Sequence, residues 1–223
     1  MLKLIIGNKA YSSWSMRGWL AVRQSGLAFE EVVVPLYDAA WDARKTAPDL
    51  MPSSGKVPTL WDGEVAVWES LAIVDFLADK VGRDLFWPAD AAARGLARSI
   101  SAEMHAGYAA LRREHSMNVR RRYPPGEVSP EVAADLARIA SLWAEARDRF
   151  GAGGDYLFGA FSAADIMFAP IVSRITTYAL PVPEQAAGYC AAILAQPFVA
   201  EWLADAEREP WVIEKFERPT ALS

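Results

Sequence analysis

The chain has 223 residues, of which 52% are hydrophobic, and a formal net charge of −5, and this length suits one large domain or two small ones. No apolar stretch approaches the roughly 20 residues that a bilayer-spanning helix needs, and the first residues lack the long apolar region and cleavage site of a secretory signal. A cytoplasmic protein without a membrane anchor is therefore expected. One cysteine and two histidines exclude a disulfide framework and argue against a metal site. The negative net charge argues against nucleic acid as a partner.

The first third of the chain alternates short strands and helices. Residues 2–6 form an apolar run ended by Gly7, which predicts a strand. Residues 14–24 have helical apolar spacing, with serines in front and Gly26 behind. Residues 29–34 predict a second strand, and residues 39–47 a weak helix. A strand, helix, strand order allows two parallel strands joined by a right-handed crossover.

The segment GKVPTLWDGEVAVWES, residues 55–70, predicts a hairpin with a proline at its entrance. Asp62 and Gly63 are a strong two-residue turn signal between two short strands. Pro58 cannot donate to a strand ladder, so it is either an edge-strand proline or a cis proline in a tight turn. In the cis case the backbone of Val57 would be free to bind a ligand that lies extended like an added strand. A helix follows over residues 69–82.

These elements predict a four-stranded mixed sheet in βαβ-ββα order, as a first α+β domain over residues 1–82. A linker over residues 83–89 contains Pro88, and strand-like segments stop there. Residues 90–223 are expected to form an all-helical domain, with helices over 90–115, 130–150, 162–178, 185–195 and 197–206. Ser162 and Asp165 form a capping-box pattern, so Asp165 is interpreted as structural.

The order of these features resembles a cytosolic glutathione transferase. The similarity rests on VPTL at 57–60, WES at 68–70 opening a helix, and SAADIMFAP at 162–170. Each piece alone is weak, but their shared order over most of the chain makes the match more specific. The resemblance implies a thioredoxin-like first domain with a cis Pro58, an all-α second domain and a homodimer. It also implies glutathione as co-substrate, without a metal.

The resemblance assigns glutathione contacts in the first domain. By position, Val57 before Pro58 would bind the cysteinyl part through its backbone, and Glu69 and Ser70 would hold the γ-glutamyl end. Physical chemistry fits this assignment, because Glu69 suits the ammonium, and Ser70 with the first amides of its helix suits the carboxylate. Lys56 is either a further glutathione contact or a solvated loop charge.

Activation of the thiol is expected within AYSSWSMRGWL, residues 10–20. The spacing from Ser12 to Arg17 resembles the serine-using zeta and tau classes, which makes Ser12 the first candidate and Ser13 the second, with Tyr11 weaker. The hydroxyl would donate a hydrogen bond to the glutathione sulfur and favour the thiolate, which attacks the electrophile. The simpler alternative is that the serines only cap the helix.

A Glu-x-His step in SAEMHAGYAAL, residues 101–111, resembles a helix of the bacterial beta class. It makes Glu103 a candidate glutathione contact, which in that class reaches the other subunit, and His105 a candidate near the sulfur. Trp14 is a candidate for the electrophile pocket, as are Tyr108 and Arg112 about one turn further along the same predicted helix. The alternative is an ordinary polar face on a long helix.

The expected function is conjugation of the glutathione thiolate to small apolar electrophiles, a detoxification reaction. Two alternatives stand beside it: a glutathione-dependent cis-trans isomerase like maleylacetoacetate isomerase, and a non-catalytic glutathione-binding protein. SSWS at residues 12–15 resembles the SSCS run of the zeta class. Arg174, however, falls at a different offset from the carboxylate-binding arginine of that class, which weakens the isomerase alternative. The arginines within residues 112–122 are interpreted either as a solvated basic surface or as a site for an anionic co-substrate.

Overall fold

A four-stranded mixed sheet forms the first part of the fold in the computed structural model, which describes residues 1–219. The strands are β1 (Leu2–Gly7), β2 (Phe29–Val34), β3 (Thr59–Asp62) and β4 (Val65–Trp68). Their order is β2-β1-β3-β4, with β1 parallel to β2 and antiparallel to β3, and with β3 antiparallel to β4. Both the mixed sheet and the hairpin predicted from the sequence are confirmed.

Three helices accompany the sheet. α1 (Ser13–Ser25) and α3 (Ser70–Val81) pack against each other and against the sheet, while α2 (Trp41–Arg44) is a single turn. Gly26 ends α1 in the left-handed conformation, with φ 69°, which a residue without a Cβ adopts most readily. Thus the helix stop predicted at this glycine is present.

The chain continues mainly in helices, as predicted for the second part of the fold. They are α4 (Ala91–Ala106), α5 (Ala109–Glu114), α6 (Pro130–Phe150), α7 (Ala163–Tyr178), α8 (Gln185–Ala195) and α9 (Pro197–Arg208). A 3-10 turn at Glu214–Phe216 follows, and residues 220–223 of the predicted helical domain lie outside the described residues. Within residues 1–219, every helix is too short or too polar to reach across a bilayer.

Contacts of α1 and the loop before it join the two parts of the fold. The buried rings of Trp19 and Trp202 meet edge-on with centroids 5.5 Å apart. Lys9, also buried, forms ion pairs with Glu31 at 2.8 Å and with Asp205 at 2.6 Å. A buried ammonium needs such partners, so Lys9 fixes α9 against the sheet domain.

The predicted helix over residues 90–115 is in fact two helices, α4 and α5. Tyr108 has φ 62°, the left-handed conformation in which helices commonly end. Arg112 then donates to the carbonyl oxygens of Gly107, at 2.9 Å, and Met104, which lie at a helix end where carbonyls lack intrahelical donors. The prediction of one continuous helix is wrong because periodic apolar spacing does not reveal a break that is stabilised by an arginine of the following helix.

The capping box predicted at residues 162–165 is present at the start of α7. One carboxylate oxygen of Asp165 accepts hydrogen bonds from the N–H and the hydroxyl of Ser162, both at 2.8 Å, and the other accepts from the N–H of Leu157 at 3.1 Å. Burial raises the pKa of Asp165 to about 6. Asp165 is fully buried, and its role is to fix where α7 begins.

We expect Asp165→Ala to lower the free energy of unfolding by about 2–5 kcal/mol, because two buried N–H groups lose their acceptor at about 1–3 kcal/mol each. Asp165→Asn keeps one carbonyl oxygen and should lose about half as much. Urea unfolding followed by circular dichroism measures both. Asp79→Ala, at an exposed site on α3, is the control and should stay within about 0.5 kcal/mol of the parent. Equal stability of Asp165→Ala and the control would contradict this role.

Candidate active site

A cleft of about 660 Å³ lies where the start of α1, the turn before β3 and the end of α4 meet the C-terminal segment, residues 209–219. Nine of the residues predicted from the sequence line it: Ser12, Ser13, Trp14, Lys56, Val57, Pro58, Glu69, His105 and Arg112. Side chains from both parts of the fold therefore face one space. No cluster of metal-ligating side chains occurs within residues 1–219.

The turn before β3 offers main-chain groups to the cleft. The Val57–Pro58 peptide bond is cis, and Pro58 packs so closely on α1 that a Cβ at Gly18 would lie 2.8 Å from its ring. Val57 precedes β3. Its N–H and C=O groups form no hydrogen bond with any main-chain or side-chain group within residues 1–219. These two groups are free to pair with an extended peptide, as β-strands do.

Glu69 and Ser70 stand at the start of α3. Glu69 has φ 66°, an uncommon conformation for a residue with a side chain, and its carboxylate lies 3.4 Å from Nε2 of His105. Ser70 is fully buried, and its hydroxyl has no hydrogen-bond partner within residues 1–219. The helix end thus combines an acid in the cleft with an unpaired hydroxyl beside it.

The two candidate serines at the start of α1 have different partners. Ser12 is the N-cap: its oxygen accepts from the N–H of Ser15 at 3.2 Å, and its hydroxyl donates to the oxygen of Ser15 at 2.8 Å. The oxygen of Ser13 accepts a 3.3 Å hydrogen bond from Nη2 of Arg174 on α7. Ser12 therefore takes part in the helix cap, whereas Ser13 is contacted by a cation.

Tyr11 also lines the cleft, but its hydroxyl is already engaged. It donates to Glu217 at 2.7 Å and accepts from Arg120 at 2.9 Å. Burial and the Glu217 carboxylate raise the pKa of Tyr11. These bonds make Tyr11 a poor donor to a thiol.

Trp14 and His105 form one corner of the cleft, together with two arginines that pack on the Trp14 ring. Their rings meet edge-on, 5.1 Å apart. The guanidinium carbons of Arg112 and Arg17 lie 4.8 Å and 5.1 Å from the centre of the Trp14 ring. Burial lowers the pKa of His105, as do Arg17 and Arg112, while Glu69 opposes the shift.

Three predicted site residues do not line the cleft: Ser70, Glu103 and Tyr108. Glu103 accepts two hydrogen bonds from Arg138, at 2.8 Å and 2.9 Å, and a third from the hydroxyl of Tyr108 at 2.8 Å. Burial and Glu103 raise the pKa of Tyr108. Tyr108 lies between α4 and α5 with φ 62°, and its hydroxyl is directed at Glu103.

The arginines predicted as a basic surface do not form one patch. Arg120 donates to the main-chain oxygens of Glu209 and Trp211, at 2.7 Å and 2.6 Å. Arg121 pairs with Glu217 at 2.7 Å. These arginines fasten the C-terminal segment beside the cleft.

Several cleft residues were not predicted from the sequence. Arg174 reaches Ser13 across 161 positions of sequence, and no local pattern indicates such a contact. Four aromatic residues that line the cleft were not predicted either: Tyr37, Trp41, Trp68 and Phe216. An aromatic residue in a loop carries no periodic signal that distinguishes a cleft wall from a core position.

Comparison with known families agrees with this fold. Residues 11–80 match the glutathione S-transferase N-terminal domain, and residues 129–205 match the glutathione S-transferase C-terminal domain. The chain therefore belongs to the glutathione S-transferase family. No curated protein matches it by sequence.

Solved structures share the fold at low identity. A glutathione transferase homologue from Burkholderia GL BGR1, with bound glutathione, is 22% identical with a TM-score of 0.68, over 93% of this chain and 99% of that one. A theta class enzyme from Xanthomonas axonopodis pv. citri, with glutathione bound, is 21% identical with a TM-score of 0.65, over 91% and 96%. Glutathione transferase E6 from Drosophila melanogaster is 19% identical with a TM-score of 0.66, over 93% of each chain. These likenesses confirm the thioredoxin-like domain followed by a helical domain.

We expect Glu69→Gln to lower the pKa of His105 further, because the Glu69 carboxylate is the group that raises it against burial and two arginines. NMR titration of the His105 ring protons measures this, with His115 as internal reference. Glu103→Gln, which removes a carboxylate bound to Arg138 instead, should leave the pKa of His105 unchanged. No shift in Glu69→Gln would rule out the Glu69–His105 contact in solution.

Proposed function

We propose that the protein is a glutathione transferase that conjugates the glutathione thiolate to a small electrophile. One observation carries the proposal: the free main chain of Val57, the carboxylate of Glu69 and the serines at the start of α1 line the same cleft. These groups match the extended backbone, the ammonium and the thiol of one tripeptide. Bound glutathione in two structures of similar fold supports the choice of ligand.

In this proposal glutathione lies along the turn before β3. Val57 pairs with the cysteinyl main chain, and Glu69 binds the γ-glutamyl ammonium. The unpaired hydroxyl of Ser70 and the first N–H groups of α3 donate hydrogen bonds to the γ-glutamyl carboxylate, as helix N-termini do to anions. Lys56 lies in the same lining and offers an ammonium to a glutathione carboxylate.

A hydrogen bond and the helix N-terminus at the start of α1 together suffice to lower the pKa of the glutathione thiol to about 7. A free thiol has a pKa of about 8.5, and bringing it near 7 needs about 2 kcal/mol. A hydrogen bond to the charged sulfur contributes about 1.5–3 kcal/mol and a helix N-terminus about 0.3–1 kcal/mol. The fully buried cation of Arg174, one hydrogen bond away through Ser13, adds to the same effect. No ionised base is needed.

Ser12 and Ser13 are the two candidates for the donor, and different observations favour each. The family resemblance favours Ser12. The hydrogen bonds favour Ser13, because its oxygen accepts from Arg174 and its proton is left for the sulfur, whereas the proton of Ser12 is directed at Ser15.

We expect Ser13→Ala to lower kcat/KM with a chromogenic chloronitroaromatic electrophile by about 10- to 100-fold, the loss of one hydrogen bond to a thiolate. The Kd of glutathione, measured by calorimetry, should change less than about threefold, because the thiolate bond contributes little to binding of the neutral thiol. Ser12→Ala should cost about 1 kcal/mol of stability through the lost cap. A larger drop in kcat/KM for Ser12→Ala than for Ser13→Ala would make Ser12 the donor, and unchanged rates in both would overturn serine activation.

We expect Glu69→Ala to weaken glutathione binding by about tenfold, because a partly exposed carboxylate loses its pairing with the ligand ammonium. Isothermal titration calorimetry measures this. Glu64→Ala, an exposed acid on the hairpin turn, is the control and should bind like the parent protein. Equal binding by both variants would remove Glu69 from the site.

The same assays separate the alternatives. Glutathione binding without consumption across a panel of electrophiles would favour a binding protein. Turnover of maleylacetoacetate without net glutathione consumption would favour the isomerase. The homodimer and the cytoplasmic location implied by the resemblance belong to this proposal as well.

A further inference from the structure

Three arginines gather around the cleft without forming an ion pair, although, against the lowering effect of burial, the charge of Asp135 raises the pKa of Arg112. They are Arg17 on α1, Arg112 on α5 and Arg174 on α7, and none of them forms an ion pair within residues 1–219. The chain as a whole has a net charge of −5. The positive charge here is therefore a local feature of the site and does not reflect a basic protein.

Two of these arginines line the cleft, and their main-chain contacts hold them in place. Arg174 is only 4% exposed and donates to His115 O at 2.8 Å, to Pro170 O at 3.1 Å and to Ser13. Arg112 donates through Nε and Nη2 to carbonyl oxygens at the end of α4. Its Nη1 has no acceptor within residues 1–219, so one face of this guanidinium is available to a ligand.

The third arginine lies behind the cleft wall. Arg17 is fully buried, and only its Nε is bonded, to Met167 O at 2.9 Å, while Nη1 and Nη2 have no partner within residues 1–219. The ring of Trp14, which lines the cleft, contacts both Arg17 and Arg112. Burial, and then the charges of Arg112 and Arg174, lower the pKa of Arg17.

Such an arrangement is unfavourable until an anion enters. Burying a charge without a counter-ion is unfavourable, and contact with an aromatic ring offsets only a small part of that cost. The mutual repulsion of three cations adds to the cost. A bound carboxylate reduces both the cost of burying the charge and the repulsion between the arginines. The paired N–H groups of a guanidinium also match the two oxygens of a carboxylate.

We propose that the second substrate is an electrophile that bears a carboxylate, bound by Arg112 and Arg174, with Arg17 strengthening the local field. This inference rests on the proposed function. Because Arg174 also contacts Ser13, the carboxylate lies beside the place proposed for the sulfur. Trp14, Met117 and Phe216 line the same cleft and suit a small unsaturated or aromatic carbon skeleton.

Glutathione itself carries two carboxylates and is the rival occupant. The γ-glutamyl carboxylate has its own partners at Ser70 and the start of α3, and Lys56 lies beside Val57 for the other. Once these assignments are made, no glutathione carboxylate remains for Arg112 and Arg174 to bind. A test must nevertheless separate an effect on glutathione from an effect on the electrophile.

The test compares a chlorinated benzoate, activated by nitro groups on either side of the chlorine, with its methyl ester. In both, the glutathione sulfur forms a bond to the chlorine-bearing carbon, the carbon–chlorine electron pair leaves as chloride, and the thiol proton passes to solvent. With rates divided by the uncatalysed rate for each compound, we expect kcat/KM to favour the acid by about tenfold or more. Arg112→Gln should bring the ratio close to one without changing the Kd of glutathione.

Arg113→Gln is the matched control, because Arg113 is an exposed neighbour that pairs with Glu114, and it should keep the parent ratio. No preference for the acid in a parent protein that turns over the ester would overturn this inference and leave the proposed function intact. Weaker glutathione binding in Arg112→Gln, equal to its loss of kcat/KM, would assign the arginines to glutathione instead. Absence of both glutathione binding and turnover in the parent protein would overturn the proposed function and this inference with it.

A second measurement needs no variant, which matters because Arg112 also caps the end of α4. Benzoate should compete with the methyl ester substrate in the parent protein, whereas benzamide, its neutral counterpart of the same shape, should inhibit at least about tenfold more weakly. Equal inhibition by the two compounds would overturn the carboxylate site.

Discussion

The packing of α7 against α1 is the contact on which the site depends. α7 is buried along almost its whole length, and it faces α1 across the centre of the molecule. Two arginines link these helices reciprocally: Arg17 of α1 donates to Met167 O of α7, and Arg174 of α7 donates to Ser13 of α1. The capping box at Asp165 fixes where α7 begins, so it also fixes which residue of α7 lies opposite the serines.

That reciprocal link has an electrostatic consequence. Each guanidinium is bonded chiefly to neutral oxygens, which orient it without neutralising it. Main-chain carbonyl dipoles stabilise a buried cation less than a carboxylate does. The cleft is therefore left with a positive potential beside the start of α1, whose helix dipole has the same sign. In the proposed site, both would favour a glutathione thiolate and an anionic second substrate.

Local sequence patterns were sufficient for most of the fold. Gly26, the Asp62–Gly63 turn and the Ser162–Asp165 box each determine a helix end or a turn through contacts within a few residues, and the structure has all three. The family models cover residues 11–80 and 129–205, which lie within the predicted sheet and helical domains. The break between α4 and α5 could not be predicted in this way, because the helix end at Gly107 is stabilised by the side chain of Arg112 on the next helix. Sequence spacing alone gave no sign of it.

The residues of the site divide in the same way into those placed by local contacts and those placed by contacts distant in sequence. Val57, Glu69 and the serines could be found because turns and helix ends have residue signatures, and helix ends and turns are where main-chain groups are free. Arg174 and Phe216 could not be found, since they reach the cleft only through packing of helices and of the C-terminal segment. The grouping of Arg112 and Arg174 at the cleft is thus a property of the tertiary structure, although each arginine is visible in the sequence.

This division also separates recognition of the two substrates. In the proposed binding mode, the first domain would meet glutathione largely with main-chain groups and helix ends, which side-chain substitutions elsewhere do not alter. The proposed second substrate would meet side chains supplied by α5, α7 and the C-terminal segment. In that segment Phe216 packs between Tyr11 and Tyr37, and Glu217 accepts from Tyr11 and Arg121. Since that segment is fastened by arginines of the 112–122 stretch, one short region both supplies a cation to the cleft and holds its aromatic wall in place. The choice of electrophile therefore depends on contacts that can change while glutathione binding is kept.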